Sequence, residues 1–170
     1  MSKLNNIVFF ACNQGGHFSQ MMGLKELFGD YDSVLVTDNV RATKEMPALK
    51  NISHIEYVMA MAEKRKEMSS THTKRWYYIK YYLKSFWECW KIIKRYHPAV
   101  IISTGSNIAV PLFWIGKICG VKLIFIETRA KVYARSLTGI LVRRLANKIY
   151  VQWPEMQKLY PEAVYCGTIV

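Results

Sequence analysis

The most regular feature of the chain is a series of short apolar runs, each followed by a turn and then by an amphipathic stretch. Continuous apolar runs of about five residues are typical of parallel strands that are buried on both faces. Strands are therefore predicted at six places, residues 7–11, 33–37, 54–58, 99–103, 122–126 and 148–152.

The segments between these strands carry the period of a helix. Apolar positions spaced three to four residues apart predict helices over residues 17–28, 74–97, 107–119 and 136–147, whereas the polar residues 60–73 predict a loop. Strands that alternate with helices indicate an α/β architecture. We therefore predict a doubly wound, mostly parallel Rossmann-like sheet that occupies residues 1–170 as a single domain.

Composition and charge narrow the class of protein. Hydrophobic residues make up 51% of the 170 residues and charged residues 21%, which excludes an intrinsically disordered chain. The formal net charge of +12 is unevenly distributed, because residues 1–60 hold 5 basic and 6 acidic side chains and residues 61–170 hold 19 and 6. The second part of the chain thus forms a basic surface, which predicts an anionic partner such as phosphate groups, nucleic acid or acidic lipid.

The cysteines and the hydropathy indicate the compartment. The four cysteines are widely spaced among apolar residues, so buried free thiols in a reducing compartment are predicted at Cys12, Cys89, Cys119 and Cys166. No signal peptide precedes the first strand, and no apolar stretch reaches the ~18 residues of a membrane span. We expect a protein on the cytosolic side.

The turn after the first predicted strand contains Gly15, Gly16 and His17. Two glycines let the backbone approach a ligand closely, and the N–H groups at the start of the next helix favour an anion. His17 lies at that helix start, where a histidine serves as a general base or binds a sugar or phosphate. The alternative is a plain glycine turn beside a polar residue.

A similar turn follows the strand at residues 99–103 and contains Gly105, Ser106 and Asn107. Ser106 or Asn107 is a natural helix N-cap, and capping alone accounts for either residue. Two anion-friendly turns at one edge of a sheet, however, favour a ligand with two phosphates.

Glu127 directly follows the strand at residues 122–126. A carboxylate at the carboxyl end of a central strand is well placed to accept a hydrogen bond from a ligand hydroxyl or to act as a base. The alternative is a surface ion pair with Arg129 or Lys131.

The helix predicted over residues 74–97 combines aromatic and basic side chains. At 100° per residue its apolar positions form one broad face, with a stripe of basic residues beside it. The positions on that face are Trp76, Ile79, Leu83, Phe86, Trp87, Trp90 and Ile93. This pattern is typical of a helix in a membrane interface, whereas the alternative packs the face on the sheet. The residues predicted to contact an anionic membrane are Trp76, Lys80, Lys84, Trp87, Trp90 and Lys91.

Two other classes of function fit the sequence poorly. Basic patches with aromatics also bind single-stranded nucleic acid, but the chain has no helix-turn-helix, zinc-ligand or RNA-recognition signature, so no nucleic acid is expected. A nucleotide-dependent oxidoreductase is disfavoured because the first turn lacks the Gly-x-Gly-x-x-Gly pattern and Asp38 is the only acidic residue near the end of the second strand.

In combination, these motifs resemble the PssD/CpsF polysaccharide-biosynthesis family. That family is similar to the membrane-anchoring subunit of the eukaryotic lipid-linked N-acetylglucosamine transferase and to the N-terminal half of MurG-type GT-B glycosyltransferases. The resemblance runs from Ile7 to Val170, and its residues are Gly15, Gly16 and His17, then Ser103, Thr104, Gly105 and Ser106, then the run from Phe125 to Ala130, and the run from Tyr150 to Glu155.

The resemblance implies one half of an enzyme. The chain would bind the acceptor, a sugar linked by diphosphate to a polyprenol, while a separate catalytic subunit would bind the UDP-sugar. Gly15, Gly16, Gly105, Ser106 and Asn107 would hold the acceptor diphosphate, and His17 and Glu127 are the catalytic candidates. GT-B enzymes as a class need no metal for this displacement, so the resemblance implies neither a metal nor another cofactor.

The prediction is an acceptor-binding and membrane-recruiting subunit of an inverting, UDP-sugar-dependent transferase in capsular or exopolysaccharide biosynthesis. It would lie peripherally on the cytoplasmic face of the cell membrane, attached through its amphipathic segment or its partner, because the N-terminal membrane helix of eukaryotic relatives is not found. Two alternatives remain. One is a non-catalytic scaffold that anchors and enhances the catalytic subunit, and the other is a self-sufficient small-molecule or nucleic-acid binder.

Overall fold

The computed structural model describes residues 6–38, 49–58 and 71–169, and the side chains of residues 71–78 lie outside this description. The described residues form one sheet of seven strands in the order β3-β2-β1-β4-β5-β6-β7. Every neighbouring pair is parallel, which confirms the predicted α/β fold. The strands are β1 Ile7–Ala11, β2 Asp32–Thr37, β3 His54–Tyr57, β4 Val100–Ser103, β5 Lys122–Ile126, β6 Lys148–Val151 and β7 Val164–Tyr165.

Within the described ranges, four α-helices connect the strands: α1 Gly16–Met22, α2 Thr71–Tyr96, α3 Ala109–Ile118 and α4 Leu137–Val142. Short 3₁₀ turns follow at Lys25–Gly29 and Pro154–Lys158. The two-residue strand β7 was not predicted from the sequence.

Three predicted helix boundaries are wrong. The helix predicted over 17–28 ends at Met22, where the Gly23 N–H bonds to Gln20 O and the chain tightens into a 3₁₀ turn. The last helix ends at Val142 because Asn147 pairs with Leu123 of β5 through its backbone N–H and its side-chain oxygen. Helix α2 begins at Thr71 within the predicted loop, and residues 60–70 of that loop lie outside the described residues.

The two faces of the sheet are covered unequally. One core cluster packs β-strand residues such as Phe9 and Phe125 against helices α2, α3 and α4. The opposite cluster packs Phe10 against the α1 side, including Phe28 of the 3₁₀ turn. On that second face the strands β4 to β6 border an apolar groove of 330 Å³, lined in part by Ile124 and Cys166.

The cysteines are all free but not all buried. Cys12 and Cys89 are buried, and burial raises the pKa of both thiols, that of Cys89 to about 12. Cys119 is half-buried and Cys166 is exposed. The prediction of four buried thiols is therefore wrong for these two, because Cys166 follows the edge strand β7 and Cys119 caps the outer end of α3.

Helix α3 offers a matched test of this layering. Phe113 is fully buried and meets Phe125 edge to face at 6.3 Å, whereas the side chain of the next residue, Trp114, is 46% exposed. We expect Phe113→Ala to lower the free energy of unfolding by about 3–5 kcal/mol and Trp114→Ala to lower it by less than about 1 kcal/mol. Urea unfolding of both variants measures the difference, and equal losses would contradict the assigned orientation of α3.

Candidate functional site

A cleft of 540 Å³ opens at the carboxyl ends of the central strands, where parallel α/β sheets bind their ligands. It is bordered by the start of α1, by the loop that follows β5 and by the end of the chain. The residues that line it are Gly16, His17, Gln20, Thr128, Arg129, Ala130, Trp153 and Thr168.

The two glycine turns predicted as anion sites lie side by side and are hydrogen-bonded to each other. The backbone N–H of Asn13 donates to the hydroxyl of Ser106 over 3.1 Å. Gly15 and Gly105 have φ angles of 86° and 104°, which favour glycine over other residues. The sequence pattern therefore located a real pair of adjoining turns.

His17 is the side chain that joins these two turns most closely. Its Nδ1 lies 2.8 Å from the carbonyl oxygen of Thr104, and the Thr104 hydroxyl donates to the carbonyl oxygen of His17 over 2.9 Å. A side chain at Gly105 would approach the His17 ring to 2.9 Å, so the ring lies directly on the second turn. Because a carbonyl only accepts hydrogen bonds, Nδ1 carries the hydrogen, and in the neutral ring Nε2 keeps a lone pair for a ligand.

Ser106 has a backbone conformation that is unusual for a residue with a side chain. Its φ angle is 95°, and such strained positions cluster at ligand sites. The Ser106 hydroxyl accepts from Asn13, so its own hydrogen remains to be donated. The capping alternative is wrong, because α3 begins at Ala109 after Ile108, two residues beyond Ser106, and no side chain caps it. Asn107 is half-buried in this approach to the helix.

Glu127 lies at the predicted end of β5 but faces inward. Its side chain is only 1% exposed. One oxygen accepts from the backbone N–H of Thr128 over 2.9 Å, and the other accepts from Ser136 N over 3.1 Å and from the Tyr160 hydroxyl over 2.6 Å. The surface ion pair considered for Glu127 is not formed, since the ion pairs among the described residues do not include it.

Two buried glutamines join the walls of the cleft. The Gln20 amide donates to Gly16 O and Thr128 Oγ1, and its oxygen accepts from Arg129 N and from the Gln152 amide. The remaining bonds of Gln152 reach Glu127 O and the Ile169 N–H. Gln20 and Gln152 thus connect α1, the loop after β5 and the end of the chain.

Several of these residues were missed by the sequence analysis. Gln20 follows Ser19 in the first helix, Gln152 is a single polar residue within an apolar run, and Tyr160 follows a turn, so none belongs to a motif. Asp38 was weighed only as a nucleotide contact, whereas its carboxylate accepts from the Asn13 amide and from Gln14 N and so holds the first turn. A polar residue inside an apolar run, as at Gln152, is the available signal.

Helix α2 turns its aromatic face outward. The buried residues of α2 include Tyr81, Ser85, Cys89 and Ile92. They form a narrower buried face than the broad apolar face that the sequence predicts. Of that apolar face Ile93 is buried, Phe86 is half-buried, and Trp76 lies among the side chains that are not described. The remainder is exposed, at fractions of 44% for Ile79, 67% for Leu83, 55% for Trp87 and 40% for Trp90.

The exposed tryptophans and lysines of α2 contact one another. Trp87 and Trp90 stack with their ring centroids 5.0 Å apart, and the Lys91 ammonium lies 5.2 Å from the centre of the Trp87 ring. Lys84 pairs with Glu88 at 3.8 Å, and the side chain of Lys80 is exposed. The predicted membrane-contact residues of known orientation therefore all face outward.

The neighbouring helices extend this apolar surface. Helix α2 packs beside α3, and α3 beside α4. We use the term aromatic surface for the exposed large apolar residues of these three helices, which are Ile79, Leu83, Trp87, Trp90, Trp114, Ile118, Leu137, Ile140 and Leu141. Among the helices of the described part of the chain, none is both long and apolar enough to cross a bilayer.

The Glu127 carboxylate provides a test through Tyr160. Burial, and then the hydrogen bond and charge of Glu127, raise the pKa of the Tyr160 hydroxyl above its usual 10.0. A raised pKa stabilises the fold below pH 10, and this contribution is lost as the pH rises beyond it. We expect Tyr160→Phe to lower the free energy of unfolding by about 1–3 kcal/mol near pH 7 and to weaken its decline at alkaline pH.

Denaturant unfolding between pH 7 and pH 11 measures this difference. Tyr133→Phe is the matched control, because Tyr133 is 81% exposed. If the free energy of unfolding of Tyr160→Phe fell as steeply at alkaline pH as that of the wild type, the assigned role of the Glu127–Tyr160 hydrogen bond would be contradicted.

Two solved structures share the fold of this chain. MurG of Acinetobacter baumannii superposes with a TM-score of 0.68 at 16% identity, covering 96% of this chain and 46% of that one. UDP-GlcNAc 2-epimerase of Methanocaldococcus jannaschii superposes with a TM-score of 0.66 at 10% identity, covering 95% and 45%. The chain thus spans about half the length of these structures, and the predicted likeness of fold to MurG-type enzymes is confirmed.

Sequence comparison identifies nearer relatives. The subunit ALG14 of the UDP-N-acetylglucosamine transferase of Mus musculus is 23% identical over 187 residues, which cover 96% of this chain and 82% of that protein. The Homo sapiens ALG14 subunit is 30% identical over 95 residues, or 52% of this chain and 44% of that protein. The resemblance to the eukaryotic subunit is confirmed, and the resemblance to PssD/CpsF proteins stays a prediction.

A family model with the description "Oligosaccharide biosynthesis protein Alg14 like" matches residues 8–169. This match includes both glycine turns, Glu127, both buried glutamines and all seven strands except the first residue of β1. The chain belongs to the Alg14-like family of oligosaccharide biosynthesis proteins.

Proposed function

We propose that this chain is the acceptor-binding and membrane-recruiting subunit of a two-subunit, UDP-sugar-dependent glycosyltransferase. Its acceptor is a sugar linked by diphosphate to a polyprenol, and the product belongs to a capsular or extracellular polysaccharide. The observation that carries the proposal is the pair of adjoining glycine turns with His17 between them at the edge of the cleft. The name of the mouse relative, a subunit of a UDP-N-acetylglucosamine transferase, supports the division between two chains.

The turns bind the acceptor diphosphate in this proposal. The space where a side chain would lie is open at Gly15 and Gly16, since no heavy atom lies within 4 Å of a Cβ built at either position. Their backbone N–H groups are the proposed donors to the phosphate oxygens. The Ser106 hydroxyl, already an acceptor for Asn13, donates its hydrogen to a phosphate oxygen. Gly105 and Asn107 complete the second turn. Backbone N–H groups and a hydroxyl are common phosphate ligands and require no metal.

His17 is the base in the proposed reaction. Its Nδ1 is bound to Thr104 O, so Nε2 is the nitrogen that accepts the proton of the acceptor hydroxyl. As the acceptor hydroxyl loses its proton to His17, its oxygen attacks the anomeric carbon of the sugar that the partner subunit holds. The bond from that carbon to UDP breaks, UDP leaves with the electron pair, and the configuration inverts.

Glu127 has a positioning role in this proposal. Both of its oxygens accept hydrogen bonds from groups of the protein, and its side chain is buried. A base needs a lone pair directed at the substrate, so His17 fits the role better than Glu127. Glu127 instead fixes the start of the loop that borders the cleft.

The aromatic surface and its lysines attach the subunit to the membrane in this proposal. Tryptophan rings lie at the level of lipid headgroups, and lysines beside them attract anionic lipid. Three adjacent helices expose apolar side chains in the same layer of the fold, which supports a flat contact rather than an isolated exposed residue.

The catalytic part of the proposal is tested by reconstitution. We expect glycosyl transfer from UDP-sugars to a lipid-diphosphate-sugar only when this chain and its catalytic partner are both present. His17→Ala should lower the transfer rate by about 10²–10⁴, the usual contribution of a general base. His54→Ala on β3 is the matched control and should retain full activity.

The outcomes separate the two enzyme-related hypotheses. Full activity of the His17→Ala complex would overturn the catalytic role and favour the non-catalytic scaffold. Transfer by this chain without a partner would contradict the division of the enzyme into two subunits.

The membrane part is tested with vesicles that contain anionic lipid. The triple variant Lys80→Glu, Lys84→Glu and Lys91→Glu reverses three charges beside Trp87 and Trp90. We expect it to lose most of its vesicle binding, because each lysine near an anionic surface contributes ~1 kcal/mol of binding free energy. The control Lys25→Glu, Lys50→Glu and Lys158→Glu makes the same change in net charge at exposed sites elsewhere.

Sedimentation with vesicles measures both triple variants. Equal loss in the two would indicate an effect of net charge alone and would contradict a dedicated surface. Stronger binding of the wild type to oligonucleotides than to vesicles would favour the nucleic-acid alternative.

A further inference from the structure

We propose that Arg129 is a cationic contact for a diphosphate ester in the cleft, held in place by the buried pair Gln20 and Gln152. This inference deepens the proposed function and rests on it, because it takes the cleft to be a transferase site. It adds a residue that neither the glycine turns nor His17 accounts for.

The backbone of Arg129 is fixed on both sides. Its N–H donates to Gln20 Oε1 over 3.0 Å, and its carbonyl oxygen accepts from the Trp153 indole N–H over 2.7 Å. The preceding residue, Thr128, is also fixed by two hydrogen bonds. Its backbone N–H donates to the Glu127 carboxylate, and its hydroxyl oxygen accepts from the Gln20 amide over 3.2 Å. This short loop therefore presents the Arg129 side chain from a rigid base.

The Gln20 amide has one orientation that satisfies all its neighbours. Its nitrogen donates to Gly16 O over 3.1 Å and to Thr128 Oγ1, while its oxygen accepts from Arg129 N and from Gln152 over 2.6 Å. Rotating the amide would point its NH₂ group at two other donors. Gln20 is 5% exposed and Gln152 is 2% exposed, so leaving any of these bonds unmade would be costly.

The side chain of Arg129, by contrast, is exposed and lines the cleft with Gly16 and His17. The ion pairs among the described residues use Arg95 and Arg143 but not Arg129. Arg135 is occupied as well, since it donates to Leu159 O and covers the Tyr160 ring. Arg129 thus combines a fixed backbone with a guanidinium that forms no ion pair within the described part of the chain and lies beside the glycine turns.

This combination fits a diphosphate. A guanidinium binds phosphate oxygens through two parallel N–H bonds, which requires a defined direction of approach. Fixing the backbone beforehand lowers the entropy that binding would otherwise cost. A solvated surface arginine needs no such support, so the buried glutamines indicate that the position of Arg129 matters.

Two substrates of the proposed reaction carry a diphosphate, the lipid-linked acceptor and the nucleotide-sugar. The kinetic measurement distinguishes them. Contact with the acceptor raises KM for the lipid-diphosphate-sugar in an Arg129→Met complex, whereas contact with the donor raises KM for the UDP-sugar and weakens inhibition by UDP. We expect a rise of about 10- to 100-fold in one of the two, as for loss of a charged hydrogen bond.

The variants are assayed in the complete two-subunit complex. Arg129→Lys should recover part of the loss because it restores the charge without the paired geometry. Arg144→Met is the matched control, since Arg144 is exposed and does not line the cleft, and it should behave as the wild type. Thermal unfolding of each variant confirms that the fold is retained.

The role of the glutamines is tested by non-additivity. Gln20→Met should raise the same KM as Arg129→Met. In the double variant that KM should rise little further, because the guanidinium is already misplaced by Gln20→Met. Trp153→Phe removes only the indole donor to Arg129 O and gives a milder variant in case Gln20→Met folds poorly. Amide hydrogen exchange at Arg129, faster in both variants, reports the loosened loop without any substrate.

Each outcome decides the inference. Arg129→Met kinetics equal to those of Arg144→Met, in a complex that transfers sugar, would overturn the diphosphate contact and leave the proposed function intact. Additive losses in the double variant would overturn the positioning role of Gln20. A wild-type complex that transfers to no lipid-diphosphate-sugar would overturn the proposed function, and this inference with it.

Discussion

The structure around the cleft depends on one buried carboxylate. Removing a carboxylate from water is strongly unfavourable unless hydrogen-bond donors replace the water. For Glu127 those donors come from Thr128, Ser136 and Tyr160, three places along the chain. The loop after β5, the start of α4 and the segment before β7 must therefore converge on the end of one strand.

The same requirement explains the local choice of residues. Gly139 faces the carboxylate on the first turn of α4, and a Cβ there would collide with the Glu127 and Tyr160 oxygens. Ser136 serves both purposes, since its N–H binds Glu127 and its hydroxyl accepts from Gly139 N over 2.9 Å as the cap of α4. A change at any of these positions disturbs the loop that carries Arg129.

The sequence was sufficient for the architecture because it depends on repeated patterns. Continuous apolar runs recur along the chain, each followed by a turn and a helix, and two of those turns contain glycine. The strands, their parallel arrangement and the two adjoining turns could therefore be predicted. The position of Glu127 at the end of its strand was predicted correctly, but the inward direction of its side chain was not. Its burial depends on hydrogen-bond donors such as Tyr160 that lie far away in the sequence. Likewise, the outward face of α2 is decided by the small residues Ser85 and Cys89, which let that side pack against the core and leave Trp87 outside.

The strand order also has a consequence for how the protein reaches its native state. Val8 of the central strand β1 pairs with Ser33 on one side and with Val100 on the other. During synthesis one edge of β1 therefore stays open until the segment around residue 100 has left the ribosome, and parallel pairing over such distances is slow. By then α2 and its exposed tryptophans have already been made. Early contact with a lipid surface or a partner would shorten the time in which nascent chains can associate with each other. The yield of soluble protein in a cell-free system therefore measures folding as well as expression.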